Sequence, residues 1–188
     1  RDELRRPACS AGRCVGLARV VQLDDLDRLE EAGGLRRELH RHPVVRAPGP
    51  RRVRFEAFDP AFGAGGVVLS PTCCDPLYRK AIRTSMGAVL RLPFARAEAS
   101  DWPGALLRVR RAGFSIVALT PREPSETLEA LGARPRPPRI ALLVGTEGAG
   151  LTTAAESAAD YRVRIPISGD VDSLNVAVAT GIALYRLR

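Results

Sequence analysis

From about residue 62 to the end of the chain, short aliphatic and β-branched runs alternate with stretches spaced like helices. The runs are "AGGVVLSP", "GAVLRLPF", "FSIVALTP", "RIALLVG" and "YRVRIPIS". Between them lie "DPLYRKAIRTSM", "DWPGALLRVRRAG", "SETLEALG" and "TTAAESAA", each able to form two to four helical turns, and "DSLNVAVATGIALYRLR" supplies a longer final helix. A strand with one wet face alternates apolar and polar residues, whereas near-continuous apolar strands are buried on both faces. Such strands separated by helices imply a parallel sheet covered on both sides, so the expected class is α/β.

The first 50 residues read differently. Leu23, Leu26 and Leu29, then Leu35 and Leu39, fall at helical intervals around a Gly33-Gly34 break, which predicts a short helical arm. The arm ends in "RHPVVRAPGPRR", a linker or basic loop, so the expected organisation is an arm over 1–50 and one main domain over 51–188. At 188 residues and 45% hydrophobic content, one solid core with an appendage is the natural outcome. No apolar run reaches the roughly 18 residues of a membrane span, and "RDELRRPACSAGR" lacks a signal-peptide core. Neither membrane association nor export is expected, and the expected compartment is the cytoplasm.

The formal charge is +8, with Lys80 the one lysine among 29 basic residues. An arginine-favouring coding bias and a solvated basic surface account for this, and so does a polyanionic partner that releases counterions on binding. Cys9, Cys14, Cys73 and Cys74 form no paired C-x-x-C framework and read as reduced thiols. His40 and His42 stand in the charged N-terminal stretch without downstream ligands, which argues against a histidine-based centre and against a metal.

In open α/β sheets ligands sit beyond the carboxyl ends of the strands, and two loops there are unusual. "LLVGTEGAGL" places Gly145, Gly148 and Gly150 around Glu147, ahead of a helix starting near Thr152. Glycines let a backbone approach a ligand closely. The lysine of a phosphate loop is missing, the G-x-G-x-x-G spacing is not met, and the Glu147 carboxylate would repel a phosphate. In "RIPISGDVDSLNVAVATGIALYRLR", Ile165, Pro166 and Ile167 are expected to finish a buried strand. Ser173 or Asp172 is expected to cap the last helix, with Val176, Ala179, Ile182 and Ala183 on its apolar face. Capping accounts for one polar residue; Ser173 and Asn175 together offer a hydroxyl and an amide beside the glycine-rich loop, which is a binding constellation.

These two loops, in this order and about 20 residues apart, closely resemble motifs 2 and 3 of the SpoU/TrmH-like RNA 2′-O-ribose methyltransferases of the SPOUT superfamily. "AFGAGGVVLSPTCCDPLYRKAIRTSMGAVLRLPF" is similar to the stretch after the family's first motif, so the resemblance covers roughly residues 58–188. It implies a parallel α/β fold with a C-terminal trefoil knot, a topology that physical rules would not propose unaided. It also implies S-adenosylmethionine as methyl donor (product S-adenosylhomocysteine), no metal, rRNA or tRNA as substrate, and a homodimer. By the resemblance, Gly145, Gly148, Ile165, Ile167 and Leu174 would hold the cofactor, while Glu147, Ser173 and Asn175 match polar active-site positions.

The first motif departs from the pattern. The family's Asn-x-Gly-x-x-x-Arg is replaced by "RRVRFEAFDPAFG", with Arg51 at the asparagine position and Ala57 at the arginine position. Pro60 also disturbs the helix expected there. Arg54, or Arg52, would take the arginine's role from a shifted backbone, or the chain binds RNA without methylating it, or a part of the sequence around the first strand is missing. The candidate RNA-binding residues are Arg51, Arg52, Arg79 and Lys80, with "ARPRPPR" (Arg134, Arg136, Arg139) an alternative that reads equally well as a solubilising loop. Aromatic residues make up 5% of the chain, so phosphate and shape contacts should outweigh base stacking.

Overall fold

The computed structural model describes residues 19–21, 64–73, 75–92, 94–102, 104–146, 148–169 and 173–188. Seven strands are described: β1 (Arg19–Val21), β2 (Val67–Leu69), β3 (Phe94–Arg96), β4 (Ser115–Leu119), β5 (Glu126–Thr127), β6 (Ile140–Val144) and β7 (Tyr161–Arg164). The described α-helices are α1 (Arg79–Thr84), α2 (Gly104–Arg111), α3 (Leu128–Gly132), α4 (Thr153–Ser157) and α5 (Val176–Leu187). Four strands form a sheet in the order β5-β7-β4-β6, parallel throughout, with Leu119 opposite Val144 on one side and Val163 on the other. β2 pairs parallel with β3 and antiparallel with β1.

Side chains alternate across a strand, and here the alternation sorts the core into two layers. Val117, Ile140, Leu142, Val144 and Val163 face a layer completed by Ala81 of α1, Leu128 and Leu131 of α3, and Ala183, Leu184 and Leu187 of α5. Ile116, Ala118, Ala141 and Leu143 face the other, completed by Leu106 and Val109 of α2 and Ala155 of α4. All five residues of β6 are buried. The apolar runs are therefore continuous because both faces are covered, and the α/β sheet flanked by helices is as the pattern predicts.

Five local expectations are corrected. "GAVLRLPF" does not form one strand: Gly87 adopts φ +78°, Ala88–Leu90 coil into a 3-10 turn that buries Ala88 and Val89, and the strand starts at Phe94. The left-handed glycine reverses the chain where an unbroken strand was expected. Strand β7 ends at Arg164, so Ile165, Pro166 and Ile167 lie beyond it; Pro166 has no N–H for a ladder. The final helix is capped by Asn175, whose side chain accepts from the Ala177 N–H at 2.9 Å, and not by Ser173. Its buried residues are Thr180, Ala183, Leu184 and Leu187, while Ile182 is 40% exposed, so the buried face is rotated from the one expected. β1 is a strand within the stretch read as a helical arm, and the leucine-spaced residues 23–39 lie outside the described residues. No helix among the described residues is long and apolar enough to cross a membrane.

Leu142 sits fully buried in the middle of β6. Leu142→Ala should destabilise the fold by about 2–5 kcal/mol, the cost of lost transfer energy and the cavity left behind, read as a lower urea midpoint with an unchanged denaturant slope.

Candidate functional site

The parallel register brings the carboxyl ends of β4, β6 and β7 to one edge of the sheet. The segment after β4 leads to α3 on one face, whereas the loop after β6 leads to α4 on the other. Where neighbouring strands send their connections to opposite faces a crevice must open. A cavity of about 340 Å³ occupies that place, within the usual range for a small-molecule site.

Each wall follows from local sequence. Leu119, Thr120 and Pro121 come from the end of β4; Val144, Gly145, Thr146, Gly148 and Gly150 from the end of β6 and its loop; Ile165 and Ile167 from the segment after β7. Ser173, Leu174, Asn175, Val176 and Ala179 close it from the entry of α5. No described residue lining the cavity carries a charge. Its surface is aliphatic side chain interrupted by glycine backbone, two threonine hydroxyls, the Ser173 hydroxyl and the Asn175 amide. Such a lining suits a flat or apolar body recognised through a few directed hydrogen bonds.

The glycines are required by shape. A Cβ on Gly145 would stand 2.2 Å from the carbonyl carbon of Gly150 and 2.5 Å from the Leu151 nitrogen, so the loop folds back directly against the end of β6. Gly148 and Gly150 hold φ of +88° and +69°, values that side chains disfavour. Thr146 and Gly150 exchange backbone hydrogen bonds of 3.2 and 3.1 Å across the loop. From outside, Arg122 donates to the Leu151 carbonyl at 3.0 Å and the Ala149 carbonyl at 2.9 Å. Behind the loop, the buried Glu156 of α4 accepts from the Thr120 hydroxyl at 2.8 Å and lies 3.5 Å from Arg122 and 3.4 Å from Arg162.

Of the residues singled out from sequence, Gly145, Gly148, Ile165, Ile167, Ser173, Leu174 and Asn175 all line this one cavity. Glu147, Arg51, Arg52 and Arg54 lie outside the described residues. Arg79 and Lys80 are exposed on α1 and, with Tyr78, Arg83 and Thr84, surround a second depression. In the alternative basic stretch, Arg134 pairs with Glu126 at 2.7 Å, and Arg139 donates to the Ala112 carbonyl and lies 5.8 Å from the Phe114 ring centroid, so both have structural partners. The sequence reading missed Thr120, Pro121 and Thr146 in the lining, and Arg122 and Glu156 behind it. Applying the rule about strand ends to "FSIVALTP" as well would have found the first two; nothing in the sequence alone pairs Arg122 with residues 27 and 29 positions away.

With this geometry established, comparison with known proteins identifies the family. The SpoU rRNA Methylase family model matches residues 60–185. An uncharacterised tRNA/rRNA methyltransferase of Mycobacterium tuberculosis is 50% identical over 119 residues, covering 63% of this chain and 41% of the relative. A 23S rRNA (uridine(2479)-2'-O)-methyltransferase of Streptomyces viridochromogenes is 31% identical over 172 residues, covering 88% of this chain and 57% of the relative. Among solved structures, the AdoMet-bound rRNA methyltransferase from Sinorhizobium meliloti is similar, with a TM-score of 0.59 and 35% identity over 68% of this chain and 47% of that one. The chain thus spans less than two thirds of the length of each of these relatives. The family match runs through the glycine-rich loop, the segment after β7 and the entry of α5, and the chain belongs to the SpoU rRNA Methylase family.

Proposed function

We propose that this chain is an S-adenosylmethionine-dependent RNA ribose 2′-O-methyltransferase acting on rRNA or tRNA. The observation that carries the reading is the cavity itself: a crevice at the carboxyl ends of three parallel strands whose described lining carries no charge, walled by glycine backbone and edged by Ser173 and Asn175. The AdoMet-bound relative from Sinorhizobium meliloti and the 2'-O-methyltransferase of Streptomyces viridochromogenes support it. The residues present fit the cofactor. Gly145, Gly148, Ile165, Ile167 and Leu174 would hold it between backbone polar groups and aliphatic walls. When bound, S-adenosylmethionine supplies an electrophilic methyl group. Ser173 and Asn175 would orient the ribose hydroxyl at the cavity mouth, where alignment alone supplies much of the rate, and Glu147 and Arg54 are the proposed polar partners that ease loss of its proton. The trefoil knot and the homodimer belong to the same proposal. The approach of the 145–151 loop and the 165–175 segment to a single cavity supports the first. Val178, Ile182 and Tyr185, exposed by 53, 40 and 60% at i, i+4 and i+7 on α5, support the second.

A second reading is favoured by one observation: Ala57 and Arg51 stand where the family's first motif has arginine and asparagine. In that reading the chain is a noncatalytic RNA-binding member that keeps the fold as a scaffold. Transfer of labelled methyl from S-adenosylmethionine to RNA stripped of modifications, followed by nuclease digestion, decides between them. Label on a ribose 2′-oxygen is expected; cofactor binding without transfer would replace the first reading with the second.

Substitutions at three places test the assignments. Asn175→Ser keeps an N-cap oxygen but removes the amide, and should slow methyl transfer on the order of 100-fold through misalignment with little change in stability. Asn175→Ala should add a cap loss of about 1 kcal/mol; equal transfer rates for Asn175→Ser and the parent would remove Asn175 from the site. Replacing both Arg79 and Lys80 by Gln should flatten the dependence of log affinity for RNA on log salt by about 1 to 2 units, and an unchanged slope would show that α1 does not meet phosphate. Ile182→Asp should convert a dimer to a monomer in sedimentation, and a monomeric parent would remove the homodimer.

A further inference from the structure

We propose that Arg122 and Glu156 are positioning residues that fix the shape of the Gly145–Leu151 loop and thereby set the affinity of the cavity for S-adenosylmethionine. The proposal rests on the reading of the cavity given above and adds two residues that line no part of it.

A loop with glycine at 145, 148 and 150 has much backbone freedom to lose when it is ordered. A binding site made of its backbone is only as well formed as the loop is well held. Its internal restraint is the Thr146–Gly150 exchange at the neck, and Leu151 anchors its far end in the core. Ala149 is exposed, and Gly148 has nothing within 4 Å of where its Cβ would be. The Arg122 guanidinium supplies the missing restraint by donating from two nitrogens to the carbonyls of Ala149 and Leu151. A planar fork fixes direction as well as distance, which a single ammonium does not.

The fork is itself fixed by Glu156. This carboxylate is 6% exposed, and a buried charge persists only when neutralised and hydrogen-bonded. One oxygen accepts from Thr120 and lies 3.5 Å from Arg122; the other lies 3.4 Å from Arg162 of β7. A single carboxylate therefore joins the wall at the end of β4, the arginine that grips the loop after β6, and strand β7. It thus links the end of β4, the loop after β6 and the body of β7. Arg122 is half-exposed, its side chain retaining 50% of its accessibility, so a direct contact to RNA is the competing role for it.

The test compares the full chain with Arg122→Met, which keeps the aliphatic stem, and Arg122→Lys, which keeps the charge but not the fork. Dissociation constants for S-adenosylmethionine by calorimetry and for RNA by filter binding are measured alongside thermal melting without ligand. Arg122→Met should raise the S-adenosylmethionine constant about tenfold, leave that for RNA unchanged and leave the melting curve cooperative. Arg122→Lys should fall between it and the parent. Glu156→Gln, which keeps a partner for Thr120 but loses the charge, should also weaken S-adenosylmethionine without touching RNA. Parent-like affinity in Arg122→Met, or a loss confined to RNA, overturns the proposal. Should Arg122→Met fail to fold, parent-like affinity in Arg122→Lys overturns it equally. A parent chain that binds no S-adenosylmethionine would instead bring down the reading of the cavity, an outcome visible before any substitution is made.

Discussion

The parallel pairing of β4 with β6 and β7 is the constraint on which the rest depends. It aligns Leu119, Val144 and Val163 in one row, so all three strands stop at the same edge. Antiparallel pairing of any one of them would send its following loop to the far end of the sheet. Parallel strands must be joined by crossovers, and crossovers of helical length cover the faces. The same choice that buries β6 on both sides thus gathers three loops above β4. The cavity is the gap left when the connections after β4 and β6 depart toward different helical layers.

What fills that gap follows from the polar ledger of the edge. Beyond the last ladder bond, each strand end presents backbone groups that need partners. At β6 the loop answers its own need through the Thr146–Gly150 exchange and Arg122. At α5 the Asn175 side chain serves the exposed N–H of Ala177. Within the helix, the buried Thr180 hydroxyl donates to the Val176 carbonyl at 2.6 Å. Groups that remain open toward the cavity are those a ligand would satisfy. This explains how an uncharged lining can still be specific.

The sheet was legible because burial on both faces leaves an unmistakable run of aliphatic residues, as in "RIALLVG". Several positions that the sequence misassigned share one property: their apolar side chains are only partly buried or are exposed. Ile165 and Ile167 look like strand residues but line the cavity, and Ile182 looks like a core residue but is exposed. A hydrophobic pattern records removal from water without saying what removes it. Motif resemblance brought the glycine-rich loop and the Ser173–Asn175 pair together, since periodicity cannot relate segments separated by a helix and a strand. Arg122 and Glu156 stayed hidden for a further reason. In a chain with 28 arginines, one that grips backbone carbonyls looks the same as one that merely faces solvent.

The division of labour follows from where charge is absent. A cavity lined by aliphatic groups and backbone can bind and orient, but it has no ionised group among its described lining residues with which to move a proton or meet a phosphate. Under the proposed function those tasks fall to other side chains, with Glu147, Arg54 and the exposed Arg79 and Lys80 of α1 as the candidates. Backbone recognition tolerates sequence change as long as the loop keeps its shape, because carbonyls and amides do not mutate. Side-chain recognition does not. A member of this family can therefore lose its first-motif arginine and keep an intact cofactor cavity. The folded core is for this reason a weaker indicator of catalysis than the few polar residues at the rim, and the question of whether this chain methylates RNA reduces to what stands opposite Ser173 and Asn175.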